Sequence, residues 1–463
     1  MRKSYFLLTS LFFLGIGAAN AQYTDMYDFK GNDGAVPTST LTYAGRTLYG
    51  MTSNGGANTD GCIFAIDTTG KNFRDIYDFT TSTGSSPYGD LTLSGHKFYG
   101  TTYFGGANGN GCVFSVDTNG KGYLDIYDFN TGVAGENPLC SVTLSGNKLF
   151  GTTYFGGANG DGNIFSIDTN GNNYKDLFDF NGANGENPHG NLTLSLSGKV
   201  LYGMTSIGGA KDSGVIFSID TDGSHYKNMH SSNNFTGYDP WRVLVLSGAT
   251  LYGTMYSGGA NGYGTYFSLD TAGGGFRRLY SFDHTIGSNV AGNLTLIGGV
   301  MYGVNFSGTV NGFGNVFSID TDGTAYTNIY DCTGVSANPQ GGLAIIGSTI
   351  YGTTVNGGPL GDGNIFKLSN GVPTSVNELK VESGNVKVFP NPSNGVFTIE
   401  SSVVSRQSTV EVYNMLGEKV FTQYSIPTTQ YPIDLTSQPA GIYLYRVIAE
   451  NGELVGEGKM IIQ

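Results

Sequence analysis

The chain predicts an all-β fold: a seven-bladed β-propeller with four antiparallel strands per blade, its ring closed by the N-terminal strand, followed by a small Ig-like β-sandwich. Three observations predict it. An aromatic-Gly step at Tyr49, Tyr99, Phe150, Tyr202, Tyr252, Tyr302 and Tyr351 recurs every 49 to 52 residues, and a fixed period of that size marks a repeat architecture. Each repeat reads as four short strands, the content of a propeller blade. The two ends of the array are also complementary. A lone fourth-type strand at residues 26–29 opens it, and the seventh repeat stops after a third strand at residues 364–368. Pairing those ends would close a ring and remove two exposed sheet edges.

The third repeat shows the unit. A strand at residues 142–144 leads through the turn Ser145-Gly146-Asn147 into a second strand from 148 to about 154. The loop Gly156-Gly157-Ala158-Asn159-Gly160 follows, rich in a residue that takes positive φ at little cost. Residues 163–168 alternate apolar and polar side chains, the pattern of a half-buried strand. Thr169-Asn170-Gly171 is turn chemistry, and residues 174–180 form the fourth strand.

Composition narrows the class. Gly is 74 of 463 residues, about twice the usual ~7%. Aromatics at 13% supply the large side chains that a disordered Gly-rich chain would lack. The net charge is −13 with no basic cluster, so nucleic acid is not an expected partner. Arg2 and Lys3, an apolar run from Tyr5 to Ile16, and Ala19-Asn20-Ala21 read as a signal peptide over residues 1–21, cleaved after Ala21. That apolar run is too short to span a bilayer and no later segment approaches a span, so a soluble exported chain without a transmembrane segment is expected. Cys62, Cys112, Cys140 and Cys332 are dispersed. Export would permit disulfides, but the spacing forces no pair, and buried free thiols are the preferred reading.

The recurring LYGTT…GGANG.G.IFSID pattern resembles the GloVer-type tandem repeat of exported bacterial proteins across residues 22–369. The sixth copy departs from it at Val304-Asn305 and Gly308-Thr309. The resemblance implies no enzymatic activity and no cofactor. Residues 370–385 read as a linker. Residues 386–463 resemble the type A sorting domain of the type IX secretion system, on Phe389-Pro390-Asn391-Pro392, Gly395, Tyr413, Gly417, Gly441 and Tyr443. That resemblance implies handling by the type IX machinery, then surface attachment or release.

Candidate ligand-binding residues come from positions where the copies stop agreeing. The residue after the link proline, or its equivalent, is Thr38, Tyr88, Leu139, His189, Trp241, Ala291 and Gln340 in turn; the residue two before the paired glycines is Ser53, Tyr103, Tyr154, Ser206, Tyr256, Phe306 and Val355. In a propeller these loops share one face. Tyr88, Tyr103, Phe104, Tyr154, Phe155, His189, Trp241, Tyr256 and Phe306 are therefore expected at one mouth, where flat rings suit sugars. Trp241 is the strongest individual candidate, because one blade alone carries it. The bland alternative is that these rings wedge blades apart. The expected function is a glycan-binding or scaffold module, with a polysaccharide lyase or hydrolase and a structural adhesion protein contacting a surface protein as rivals.

No catalytic residue and no metal site is expected. The Asp117, Asp168, Asp220 and Asp320 turns lack the later ligands of a calcium loop. His189, His230 and His284 come from different repeat positions. Glu136 and Glu186 could stand as a carboxylate pair but read better as solvated loop residues. Asn191, Asn234 and Asn293 match an N-glycosylation pattern by chance.

Overall fold

The computed structural model describes residues 21–132, 134–372, 386–401, 408–414, 419–424, 430–449 and 454–462. The chain divides into two compact units, residues 1–373 and 374–463. All regular structure in both, among the described residues, is strand. None of it is a helix long and apolar enough to cross a membrane. The expected signal peptide and most of the linker lie outside the described residues.

The first unit holds seven antiparallel sheets of four or five strands, of the kind that build propeller blades. The third is typical: Thr143–Ser145, Lys148–Thr153, Asn163–Asp168 and Lys175–Asp179 pair in that order. The last sheet is completed by the first strand of the chain. Gln22–Asp28 pairs antiparallel with Asn364–Ser369, Gln22 opposite Ser369 and Asp28 opposite Asn364. The strand expected over residues 26–29 is thus longer and begins earlier.

One expectation needs correction. Residues 163–168 are not half-buried; all six are buried. Neighbouring sheets cover the strand on both faces, so its alternation reports two different interiors rather than inside and outside. The aromatic-Gly step has a matching cause. Gly151 lies opposite Phe165 on the next strand, and a Cβ there would sit 2.6 Å from Phe165 Cζ. The same Gly–Phe pairing recurs in all seven sheets, at Gly50–Phe64, Gly100–Phe114, Gly203–Phe217, Gly253–Phe267, Gly303–Phe317 and Gly352–Phe366.

Parallel ring stacks join successive sheets. Tyr77 of the first stacks on Tyr123 of the second (4.5 Å, 3°), and Tyr127 on Tyr174 of the third (4.1 Å, 3°). Phe178 then meets Tyr226, His230 meets Phe276, and Tyr280 meets Tyr326. Tyr330 of the sixth stacks on Tyr23, and Tyr27 on Phe73 of the first. Offset ring contacts of this kind add about 0.5–1.5 kcal/mol each beyond the area they bury.

The four cysteines are free and buried. Burial pushes the Cys112 thiol up to about 12, which makes it inert at neutral pH.

In the second unit, Val386–Phe389, Val396–Ser401 and Gln430–Asp434 form one sheet, and Lys419–Tyr424, Ser408–Asn414, Gly441–Ala449 and Leu454–Ile462 another. Phe397, Ile399, Val410, Val412, Tyr445 and Met460 share a single core. The motif residues hold it together. Asn391 donates to the Lys459 carbonyl (2.6 Å) and accepts from Ile461 N–H (2.9 Å). The peptide bonds preceding Pro390 and Pro392 are cis. Gly395 has φ +105° with a Thr436 backbone atom 2.9 Å from where a Cβ would be, so only glycine fits. Tyr443 donates to the Pro439 carbonyl (2.8 Å), and Arg446 bonds both Glu411 and the Tyr413 hydroxyl. Gly417 lies outside the described residues.

Candidate functional site

The links between sheets and the glycine loops lie side by side, as the repeat reading expects. Glu136 and Phe155 exchange backbone hydrogen bonds of 2.8 and 3.1 Å. The link asparagines fix the loop aromatics from behind. Asn137, Asn187 and Asn338 adopt positive φ, and their amides donate to the carbonyls of Tyr103 (2.8 Å), Tyr154 (2.8 Å) and Phe306 (2.9 Å). Asparagine tolerates this backbone better than most residues, which gives these link positions a positioning role.

The structure brings eight of the nine candidate residues into two ring clusters. Tyr88 meets Tyr103 edge-on at 5.7 Å, and Tyr103 meets Phe104 at 4.4 Å. Tyr154 meets Phe155 at 4.6 Å and His189 at 5.9 Å, both edge-on. His189 lies parallel to Trp241 (4.9 Å, 5°), and Trp241 parallel to Tyr256 (4.1 Å, 17°). The Tyr103 hydroxyl also feels that of Tyr154, so the clusters adjoin. Phe306 is half-buried and makes no ring contact with the other eight.

Trp241 is more engaged than the sequence suggests. It runs parallel to two rings, and its Nε1 donates to Asp239 Oδ1 at 2.7 Å. The open rings are Phe104 and Phe155, 49% and 41% exposed, each braced perpendicular to the tyrosine before it.

Beneath the rings lies a polar centre that sequence reasoning missed. Asp90 Oδ1 accepts from Thr40 N–H (2.6 Å), and its Oδ2 accepts from Asn293 Nδ2 (2.8 Å). Asn293 Nδ2 also reaches Thr40 Oγ1, and Asn191 Oδ1 accepts from Ser141 N–H (2.8 Å). Arg242 Nη2 donates to the Gln340 carbonyl (3.2 Å), and its Nε donates to that of Ala291. Asp90, Asn191, Arg242 and Asn293 are half-buried and line a small, partly open pocket together with Tyr88, His189 and Trp241. Burial raises the Asp90 carboxyl against the opposing pull of Thr40 and Arg242. Burial, followed by the Arg242 charge, pushes His189 down to about 4. A signal for this centre existed in the copies. Arg242 stands where other repeats carry Gly89, Gly190, Gly292 and Gly341, and Asp90 is the one acid at a position that otherwise holds Thr40, Ser141, Asn191, Val243, Asn293 and Gly342.

The remaining candidates stay apart. His230 belongs to the inter-sheet stack with Phe276, and His284 lies against Tyr263. Glu136 caps its own loop by accepting from Gly132 N–H. Each Asp turn closes through a Gly N–H to Asp carbonyl bond, Gly171 to Asp168 at 2.9 Å for instance. The Asp168 carboxylate is used by Asn173 and Lys148. Among the described residues no three His, Cys, Asp or Glu side chains cluster as metal ligands.

A propeller-like repeat unit joined to a compact sorting-type sandwich defines a class of exported bacterial repeat protein. The Gloeobacter/Verrucomicrobia repeat family model matches residues 12–119, 92–226 and 194–366, and the chain belongs to that family. The secretion system C-terminal sorting domain matches residues 387–463. This domain directs the protein to the outer cell surface or into the medium by type IX secretion. No curated protein matches. Among solved structures, a puromycin-hydrolyzing peptidase of Mycobacterium tuberculosis aligns with TM-score 0.51 at 10% identity, over 80% of this chain and 59% of that one. The extracellular domain of a protein described as a hybrid two-component system of B. thetaiotaomicron aligns with TM-score 0.50 at 8% identity, over 96% and 59%. The chain spans less than two thirds of either structure, and such likeness speaks to fold alone.

Proposed function

We propose that the seven sheets form a closed seven-bladed propeller that binds glycan at the mouth carrying Phe104 and Phe155, exported by a signal peptide over residues 1–21 and sorted by an Ig-like sandwich. The strand pairing of Gln22–Asp28 with Asn364–Ser369 and the stacks linking each sheet to the next support the ring. One observation carries the binding reading. Rings from four consecutive repeats converge on one face, and two stay open while their neighbours brace them. A braced ring loses little freedom when a sugar stacks on it, and nearby backbone groups of the glycine loops can meet hydroxyls.

A glycan array probed with the full exported chain tests this, with product analysis on the same polysaccharides. Phe155→Ala and Phe104→Ala should each weaken binding about tenfold, near 1.4 kcal/mol. Unchanged binding in both variants rejects the site. Depolymerisation would establish a lyase or hydrolase instead, and contact with surface protein alone an adhesin.

A further inference from the structure

We propose that in four sheets the first and fourth residues of a four-residue stretch of the edge strand, Asp25–Asp28, Asp75–Asp78, Asp125–Asp128 and Asp176–Asp179, form carboxyl pairs that each share one proton, so that the repeat unit is locked by acid. In a regular strand residues three apart point to opposite faces. Here a bulge intervenes. Phe64 pairs with Asp75 and Ile63 with Tyr77, leaving Ile76 unpaired. The extra residue turns Asp78 to the side of Asp75. Met26, Ile126 and Leu177 are the extra residues in the other three strands.

Two of the three remaining sheets show what this position can supply, while in the other Arg278 turns away to the Phe235 carbonyl. Asn228 Nδ2 donates to Ser231 Oγ at 3.0 Å, and Asn328 Nδ2 donates to Asp331 Oδ1 at 2.6 Å. The first residue therefore supplies a donor to the fourth. Two carboxylates contain no donor, and Oδ1 of Asp28, Asp75, Asp125 and Asp176 is in each case buried without a partner. One proton per pair supplies the missing donor. The fourth residue is committed elsewhere as an acceptor: Asp78, Asp128 and Asp179 take the N–H groups of Ala57, Ala107 and Ala158 at 2.6 to 2.8 Å. In those three pairs the proton then resides on the first carboxyl; in the Asp25–Asp28 pair the oxygen without a partner is on Asp28. Among the described residues no Lys or Arg side chain acts on Asp75, Asp125 or Asp176 to replace it, while Lys30 lines the pocket beside Asp25 and Asp28. The groups opposite Asp75 are Asp33, Tyr27 and the Cys62 thiol; opposite Asp125, Tyr77, Tyr123 and Cys112; opposite Asp176, Tyr127, Tyr174 and the Asn163 amide; opposite Asp25, Tyr23 and Asn364. Burial, then the partner's charge, raises Asp75 and Asp125 to about 7, and Asp25 and Asp176 to about 6.

Because the folded values lie above the ordinary carboxyl value, this contribution is complete below about pH 4 and is lost as pH rises through 6 to 7. Thermal unfolding of the full chain, with chelator present, is followed from about pH 5 to 8 beside Asp75→Asn/Asp125→Asn, which copies the Asn328–Asp331 arrangement. The wild-type midpoint should fall by several degrees over that range; the variant should fall less and exceed wild type at about pH 8. Parallel curves overturn the proposal. Should the variant not fold, infrared spectra of the wild type decide: a protonated-carboxyl band present at about pH 5 and lost by about pH 8 supports sharing, and its absence at both overturns it. A midpoint at about pH 8 that calcium raises and chelator lowers also overturns it, in favour of cation bridging.

Discussion

Tyr23 stacks on Tyr330 with 4.8 Å between ring centroids and 9° between planes, tying the first strand of the described chain to a strand more than three hundred residues later. Asn364 Nδ2 holds the Tyr23 hydroxyl at 3.0 Å. This contact and the strand pairing beside it oppose the chain entropy of bringing the two ends together. Tyr23→Ala should cost about 2–3 kcal/mol, and a double-mutant cycle with Tyr330→Ala should show coupling of about 0.5–1.5 kcal/mol. Leu196→Ala at an exposed turn should change stability by less than about 0.5 kcal/mol. Equal effects at Tyr23 and Leu196 in a denaturant titration would mean that the ends do not hold the unit closed.

The aromatic-Gly step is a packing device, and it should fail by overpacking. Gly151→Ala places a Cβ 2.6 Å from Phe165 Cζ, with all three nearest atoms on that ring. Phe165 is fully buried and has little room to yield. A loss of about 1–3 kcal/mol is expected. At Gly160, φ is +86° but nothing lies within 4 Å of a Cβ, so alanine there should cost only the backbone term, about 1 kcal/mol. Thermal midpoints of the two variants should therefore separate; coincident midpoints would remove the steric account of the repeat's invariant glycine.

The repeat was legible because packing at a fixed period writes itself into the sequence. The aromatic-Gly step solves the same local problem in every sheet, and the paired glycines and Asp turns do so in most of them. Strand edges read from the third repeat fell within one residue of those observed. The polar centre was harder to read, because its members lie far apart in sequence: Asp90 meets Asn293 and Thr40 only once the sheets come together. Trp241 misled in another way. Rarity singled it out, but two parallel neighbours and a hydrogen bond to Asp239 make it part of the support, while the open rings are Phe104 and Phe155. Its truncation should disturb the Tyr256 and His189 rings and weaken folding as well as binding.

Arg242 joins the fifth repeat to the sixth and seventh through the carbonyls of Ala291 and Gln340. Arg242→Met keeps most of the apolar stem and removes the donors, leaving the carbonyls of buried Ala291 and half-buried Gln340 to be satisfied otherwise. Since hydrogen bonds from a charged group contribute about 1.5–3 kcal/mol each at most, a total loss of about 2–4 kcal/mol is expected in chemical denaturation. A variant as stable as the wild type would show that the centre tolerates an empty middle.

His189 should remain neutral where a surface histidine would charge. Burial and the Arg242 charge hold it near 4, against an ordinary value of 6.5. Between those values the unfolded chain binds the proton and the folded one does not, so this contribution is complete above about pH 6.5 and is lost as pH falls towards 4. It opposes the carboxyl pairs, but one histidine stands against four pairs, so the net trend over pH 5 to 7 should follow the pairs. The imidazole resonance of His189 should titrate near 4 in the wild type. It should move upward in Arg242→Met, because the second cause of its depression is then removed while burial remains. A wild-type inflection near 6.5 would mean that the ring is open to water, and with it the mouth that Tyr154 and Trp241 are held to enclose.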